Sequence, residues 1–184
     1  MASHRGVEAA MLALEAALRR EQPAELAAFA PVRLLGSADL ARQDLGGLLG
    51  LYTYRVEIDP ATRNRYHVPP PGMLAAVLLV LPLVLHFLLF PWVANASEEL
   101  RLLGWAMQAL AHLTELDAAR IDALDPDWDA DERAQVLPEE LSIEDLLRIW
   151  DGLPLRYRPS AAWVVRTVFV RSTPQPGAGR VRTR

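Results

Sequence analysis

The chain has 184 residues, enough for one domain with its own core and too few for two full domains. Hydrophobic residues make up 52% and charged residues 23%, the balance of a chain that folds, while a net charge of −4 gives no general attraction to phosphate backbones. No nucleic-acid partner is therefore expected, and the absence of cysteine excludes disulfides, thiolate nucleophiles and thiolate metal sites while leaving the redox compartment open.

In chain order, Val7, Met11, Leu14 and Leu18 recur at helical spacing and predict an amphipathic helix that Pro23 ends. Glu8, Glu15, Arg19 and Arg20 interrupt any apolar core of a secretory signal here, so none is expected. PVRLLGSADL reads as a short strand running into a turn, and Gly46-Gly47 breaks the chain before LLGLYTYRVEID. That run predicts the clearest strand. Its alternation places Leu51, Thr53, Arg55 and Glu57 on one side and Tyr52, Tyr54, Val56 and Ile58 on the other. Asp59-Pro60 closes it, and Pro69 to Pro71 with Gly72 form a stiff linker.

Residues 73 to 93, MLAAVLLVLPLVLHFLLFPWV, are uncharged and almost wholly apolar. Two readings compete. As a single membrane span, Met73 to Val93 has about the 20 residues a bilayer requires, with Ala94 to Arg184 outside it. As part of a soluble assembly, Pro82 is a boundary: Leu81 to Val93 is a strand buried on both faces, and Met73 to Val80 is the approach to it. Pro82 near the middle of the span and the acidic pair Glu98-Glu99 after it favour the second reading.

Ser97 then predicts a helix N-cap, followed by a stripe of Leu100, Leu103, Met107 and Leu110. SIEDLLRIWDG predicts another helix, with Ser142 as cap, Asp145 as its capping-box partner, and Ile143, Leu146, Leu147 and Trp150 on one face; Gly152 is its C′ residue. AAWVVRTVFVR reads as a final strand carrying Val164, Val165, Val168, Phe169 and Val170. The remainder, 173–184, reads as a disordered basic tail with Arg180, Arg182 and Arg184. Helices interleaved with strands predict an α+β fold, a mostly antiparallel sheet covered by two or three helices in a single domain over 1–172.

Motifs that carry chemistry are not found. DPDWDADE, Asp125 to Glu132, resembles a calcium loop only superficially: Ala130 stands where the turn needs glycine and Val136 where it needs the bidentate glutamate. It is read as a solvated acidic loop. His4, His67, His86 and His112 lie far apart without metal-ligand spacing, and His86 inside the apolar run is read as a core histidine bonded to backbone. GGLLG at Gly46 to Gly50 lacks the lysine and hydroxyl of a phosphate loop, and no serine occupies a nucleophile elbow. Neither enzymatic activity nor any cofactor or metal is expected.

YRPSAAWVVRTVFV, with SIEDLLRIWDGL before it, resembles the tail-terminator, or cap, proteins of extracellular contractile injection systems, which are phage-tail-like particles. In that family a helix ending in tryptophan leads to a Tyr-Arg-Pro-Ser motif and a last strand; the matching residues are Trp150, Tyr157, Arg158, Pro159, Ser160 and Trp163. PLVLHFLLFPWVANASEELRLLGWAMQAL is similar to the family's proline-introduced strand and Arg-x-Leu-Gly helix, with Pro82, Arg101 and Gly104 in corresponding places. The likeness extends over most of residues 7 to 172. It implies a structural, non-catalytic role: a ring of six subunits that sits on the distal end of the inner tube and sheath, stops their polymerisation and anchors the last sheath ring. It further implies partners that are copies of the chain and tube and sheath subunits, and cytoplasmic synthesis and assembly into the particle.

Overall fold

Gly6–Glu21 forms helix α1, which buries Met11, Leu14 and Leu18 as their spacing requires and adds Ala9, Ala10, Ala13 and Ala17 to the same face. The alanines let the helix lie close against a sheet. The structure, a computed structural model of the chain, describes residues 2–42, 44–62, 80–121 and 123–171. The linker Pro69 to Gly72, residues 73–79 of the apolar run, and the tail 173–184 lie outside them. After α1 come α2 (Ala24–Ala27), β1 (Val32–Leu35), α3 (Ser37–Leu40), β2 (Leu48–Ile58) and β3 (Val80–Trp92). Then follow α4 (Ala96–His112), β4 (Glu115–Leu116), α5 (Ala118–Ile121), β5 (Ala134–Pro138), α6 (Ile143–Asp151) and β6 (Ala161–Arg171).

The six strands form one sheet in the order β1-β2-β3-β6-β5-β4, antiparallel throughout except for the β1–β2 pair. The expected α+β class with a mostly antiparallel sheet is the observed one. β3 lies inside the sheet, paired along its length to β2 on one side and β6 on the other. Leu85, Phe87 and Leu89 point to a first face covered by α1, α4 and α5; Leu88 and Phe90 point to the second, where Leu40 of α3 and Trp150 of α6 meet them. The chain therefore covers both faces at this end of β3 itself, where sequence reasoning left one face to a neighbour. Because β3 is extended strand from Val80, a continuous membrane helix over 73–93 is overturned, and no helix among the described residues is long and apolar enough to cross a membrane.

Three local expectations are corrected. Asn95, not Ser97, caps α4: its side-chain oxygen accepts from the backbone N–H of Ser97 at 2.8 Å and of Glu98 at 3.4 Å. That helix buries Leu102, Ala106, Ala109 and Leu110 and leaves Leu100 and Met107 exposed, a face turned by about one residue step of 100° from the leucine stripe. Small residues face the sheet. Pro82 lies two residues inside β3 instead of at its border, next to a register shift between Leu83 and Val84 that accommodates the irregular pairing.

The β2 alternation is corrected by a bulge. Thr53 pairs with Phe87 but Arg55 pairs with His86, so Tyr54 is an extra residue and the remainder of the strand changes faces. Arg55 and Glu57 join Tyr52 on the second face. Val56 and Ile58 turn to the first face, at an end of the sheet where both stay substantially exposed.

Phe87 is fully enclosed beneath the helices. Phe87→Ala is expected to lower the free energy of unfolding by about 3–5 kcal/mol, read as the shift in urea midpoint at constant slope. A midpoint within experimental error of the parent would contradict this placement.

Candidate interaction site

Trp150 ends α6 and drops its indole onto the second face of the sheet, edge-on to Phe90 at 5.3 Å between ring centroids. Its Nε1–H donates to Ser160 Oγ at 3.0 Å, which ties the helix to the segment leading into β6. Tyr157 packs edge-on to the outer side of the same indole at 5.8 Å and is itself about half exposed. The aromatic body of Trp150 is thus buried while its polar edge is satisfied.

Arg158 binds the motif to the rest of the fold. Its guanidinium lies 4.5 Å from the ring centre of Trp92 at the end of β3, donates to the Val93 carbonyl at 3.0 Å, and pairs with Glu99 of α4 at 3.2 Å. The two stretches singled out in the sequence, around Arg158 and around Glu99, are therefore brought into contact through one side chain. Two open clefts flank it. One of about 360 Å³ reaches Asp44, Gly46, Gly47 and Glu98; the other, of about 320 Å³, is walled by Trp92, Pro154, Leu155 and Arg156. Gly46 has φ 66°, the left-handed region that favours glycine, and a side chain at Gly47 would collide with the Phe29 carbonyl at 2.1 Å.

The other residues of the proposed set do not gather here. Pro159 is half-buried between Arg158 and Ser160, whereas Trp163 points to the first face and is part of the main core beneath the helices. Pro82 sits far along β3, paired with Phe169, and its carbonyl accepts from the Asp59 N–H. Arg101 and Gly104 are exposed on α4, and nothing lies within 4 Å of where a Gly104 side chain would begin. On α6, Ile143 is 63% and Leu147 42% exposed, so the predicted apolar face is buried only at its Trp150 end.

A second polar group, missed in the sequence, occupies the far half of the second face. His86 is buried, and its Nδ1 lies 2.7 Å from Glu139 Oε1 and its Nε2 3.2 Å from Glu57 Oε1. It is thus bonded to carboxylates and not to backbone, which corrects the reading of a core histidine held by main-chain groups. Tyr54, the bulge residue, donates from its hydroxyl to Glu139 Oε2 at 2.5 Å; burial first, then that bond, raises the Tyr54 hydroxyl well above its ordinary range. The guanidinium of Arg55 bonds Glu57 and, ahead of His86 and against partial burial, holds that carboxyl below the usual range. Asp59 is likewise lowered, chiefly by the Thr62 hydroxyl, with burial opposing and Arg166 contributing through a 3.3 Å ion pair. The only signal available in the sequence was a lone histidine in an apolar strand.

The acidic cluster is corrected too. Asp125 is buried and receives the N–H of Ser3 at 3.0 Å and the Ser3 hydroxyl at 3.1 Å, and Trp128 is buried beside it, so this end of the loop anchors the N-terminal segment. Among the described residues no group of three or more His, Asp or Glu is arranged to hold a metal ion.

The family described as Pvc16 N-terminal domain matches residues 10–184. Among solved structures, the fold is similar to the sheath/tube terminator of an extracellular contractile injection system, PVC, in its extended state, at 18% identity and a TM-score of 0.63 over 96% of this chain. It is also similar to the tube terminating cap of the anti-feeding prophage, AFP, at 16% identity and a TM-score of 0.60 over 93% of this chain. The chain spans about three fifths of those proteins, 61% and 57% of their lengths. No curated protein sequence matches it.

Removing the guanidinium breaks three contacts at once. Arg158→Ala is expected to cost about 1–3 kcal/mol of stability in chemical denaturation, the range for charge-assisted hydrogen bonds. Arg158→Lys is expected to recover less than half, since an ammonium keeps the charge without the planar stack; full recovery would show that charge alone matters.

Proposed function

The chain belongs to the Pvc16 N-terminal domain family, and from that premise we propose that it is a structural cap of a contractile injection particle. On this reading it forms a ring of six copies on the distal end of the inner tube and sheath, ends their polymerisation and anchors the last sheath ring. The observation that carries the reading is the family match over residues 10–184, together with a fold shared with two terminators of such particles.

Two features of the molecule support it. Beyond Tyr52 the outer edge of β2 has no strand partner among the described residues, and a partner's strand can add there with main-chain hydrogen bonds. Val56 and Ile58 at that edge, and Ile143, Leu147 and Tyr157 around α6, are exposed apolar residues of the kind a closed ring or a docked tube subunit would cover. Synthesis and assembly in the cytoplasm, before any release of the particle, belong to the same proposal.

Electron microscopy of particles made without this protein tests the proposal. Sheaths of uncontrolled length, or tubes parted from their sheaths, are the expected outcome; uniform intact particles would overturn it. Native mass spectrometry of the purified chain is expected to give a closed ring of six, and a monomer at all concentrations would refute ring formation by the chain alone.

A further inference from the structure

The hydrogen-bond accounting around His86 does not close with a neutral ring. A neutral imidazole has one N–H and one lone pair. Here both ring nitrogens face carboxylate oxygens, Glu139 Oε1 at 2.7 Å and Glu57 Oε1 at 3.2 Å, so one nitrogen would set a lone pair against an acceptor. Tyr54 already supplies its proton to the other oxygen of Glu139. The mismatch sits at a buried ring, where an unmet polar contact is costly.

Charge points the same way. Among the described residues, the groups that face this cleft are Tyr54, Arg55 and Glu57 from β2, Asp59 just after it, Glu139 after β5, and Arg166 from β6, with Val84, Val164, Pro60 and Pro138 in its walls. Arg55 pairs with Glu57, and Arg166 pairs with Asp59. Among the described residues no guanidinium pairs with Glu139, which is only 14% exposed and in contact with His86. Among the described residues of the cleft, a positively charged His86 brings the three carboxylates and two guanidiniums to neutrality.

We propose that His86, Glu57 and Glu139 form a proton-binding clasp, in which an imidazolium donates to both carboxylates and ties β2, β3 and the segment after β5 together across the sheet. The clasp holds the stretch of β2 next to the open edge beyond Tyr52, so proton binding and the geometry of that edge are coupled. No bond forms or breaks beyond proton transfer: the proton comes from solvent and returns to it as pH rises. The clasp's contribution is lost when that proton leaves as pH rises, opposite in sign to Glu57 and Asp59, whose lowered carboxyls contribute stability that is lost as pH falls.

The test is nitrogen-15 NMR of the histidine rings in the full-length protein at pH 7.5, with the His86 signals identified by their proximity to the Tyr54 ring, 6.0 Å away between centroids. Two N–H-type ring nitrogens are expected for His86, where a free histidine would be about nine-tenths neutral. In Glu139→Gln the ring is expected to become neutral at the same pH, with one lone-pair nitrogen. A lone-pair nitrogen on His86 in the parent protein overturns the proposal, whether or not the variant folds; so does an imidazolium that persists unchanged in Glu139→Gln.

Discussion

A strand that is apolar on both sides can exist in water only if both sides are covered, and β3 is such a strand. Leu85, Phe87, Leu88, Leu89 and Phe90 are consecutive or nearly so and fully enclosed, each contributing about 1.5–3 kcal/mol by removal from water. The requirement dictates the layers. One face recruits the small-residue sides of α1 and α4, which approach closely because they present alanines; the other recruits Trp150, Leu155 and Leu40. Where Leu88 and Phe90 give way to His86 along β3, the covering elements stop and a polar cluster takes over.

The same strand explains why the Tyr-Arg-Pro-Ser segment matters. Trp92 and Val93, its last residues, are where Arg158 stacks and bonds, and Glu99 one turn into α4 completes the contact. The turn from β3 into α4 is thus pinned by a side chain from the approach to β6, and β6 is then delivered along the other side of β3. A guanidinium suits this place because it can lie over the indole while its Nη1 donates to the Val93 carbonyl and to Glu99. The motif is a fastening between elements far apart in sequence, with Tyr157 half exposed beside it.

Much of this could be read from residue patterns, and the failures have identifiable causes. The amphipathic first helix, the strand at Leu48–Ile58, the Ser142 cap and the terminal strand follow from local periodicity and capping chemistry, and they appear as expected. The expected face of α4 is rotated because the stripe took Leu100 and Met107 for core positions, whereas the sheet takes Leu102 with Ala106 and Ala109 beside Leu110. The bulge at Tyr54 leaves no local trace: alternation continues in the sequence while the backbone slips by one residue, and only the register with β3 reveals it. That slip places Arg55 and Glu57 beside His86, so the polar cluster was equally invisible. Of the residues marked by resemblance, Trp150, Arg158 and Ser160 do gather, because they share one short segment and a neighbouring helix; Pro82, Arg101, Gly104 and Trp163 serve elsewhere.

The place of β6 in the sheet has a consequence for how this polypeptide comes into being. It is the last of the described strands in chain order, yet it lies between β3 and β5, with three strands to one side and two to the other. Until residue 171 has left the ribosome, the greasiest strand keeps a bare flank of unsatisfied amides, and β4–β5 has nothing to join. Such a nascent chain stays sticky and half-zipped until β6 slots into the gap, the state in which exposed strand edges are most prone to pair with the wrong neighbour.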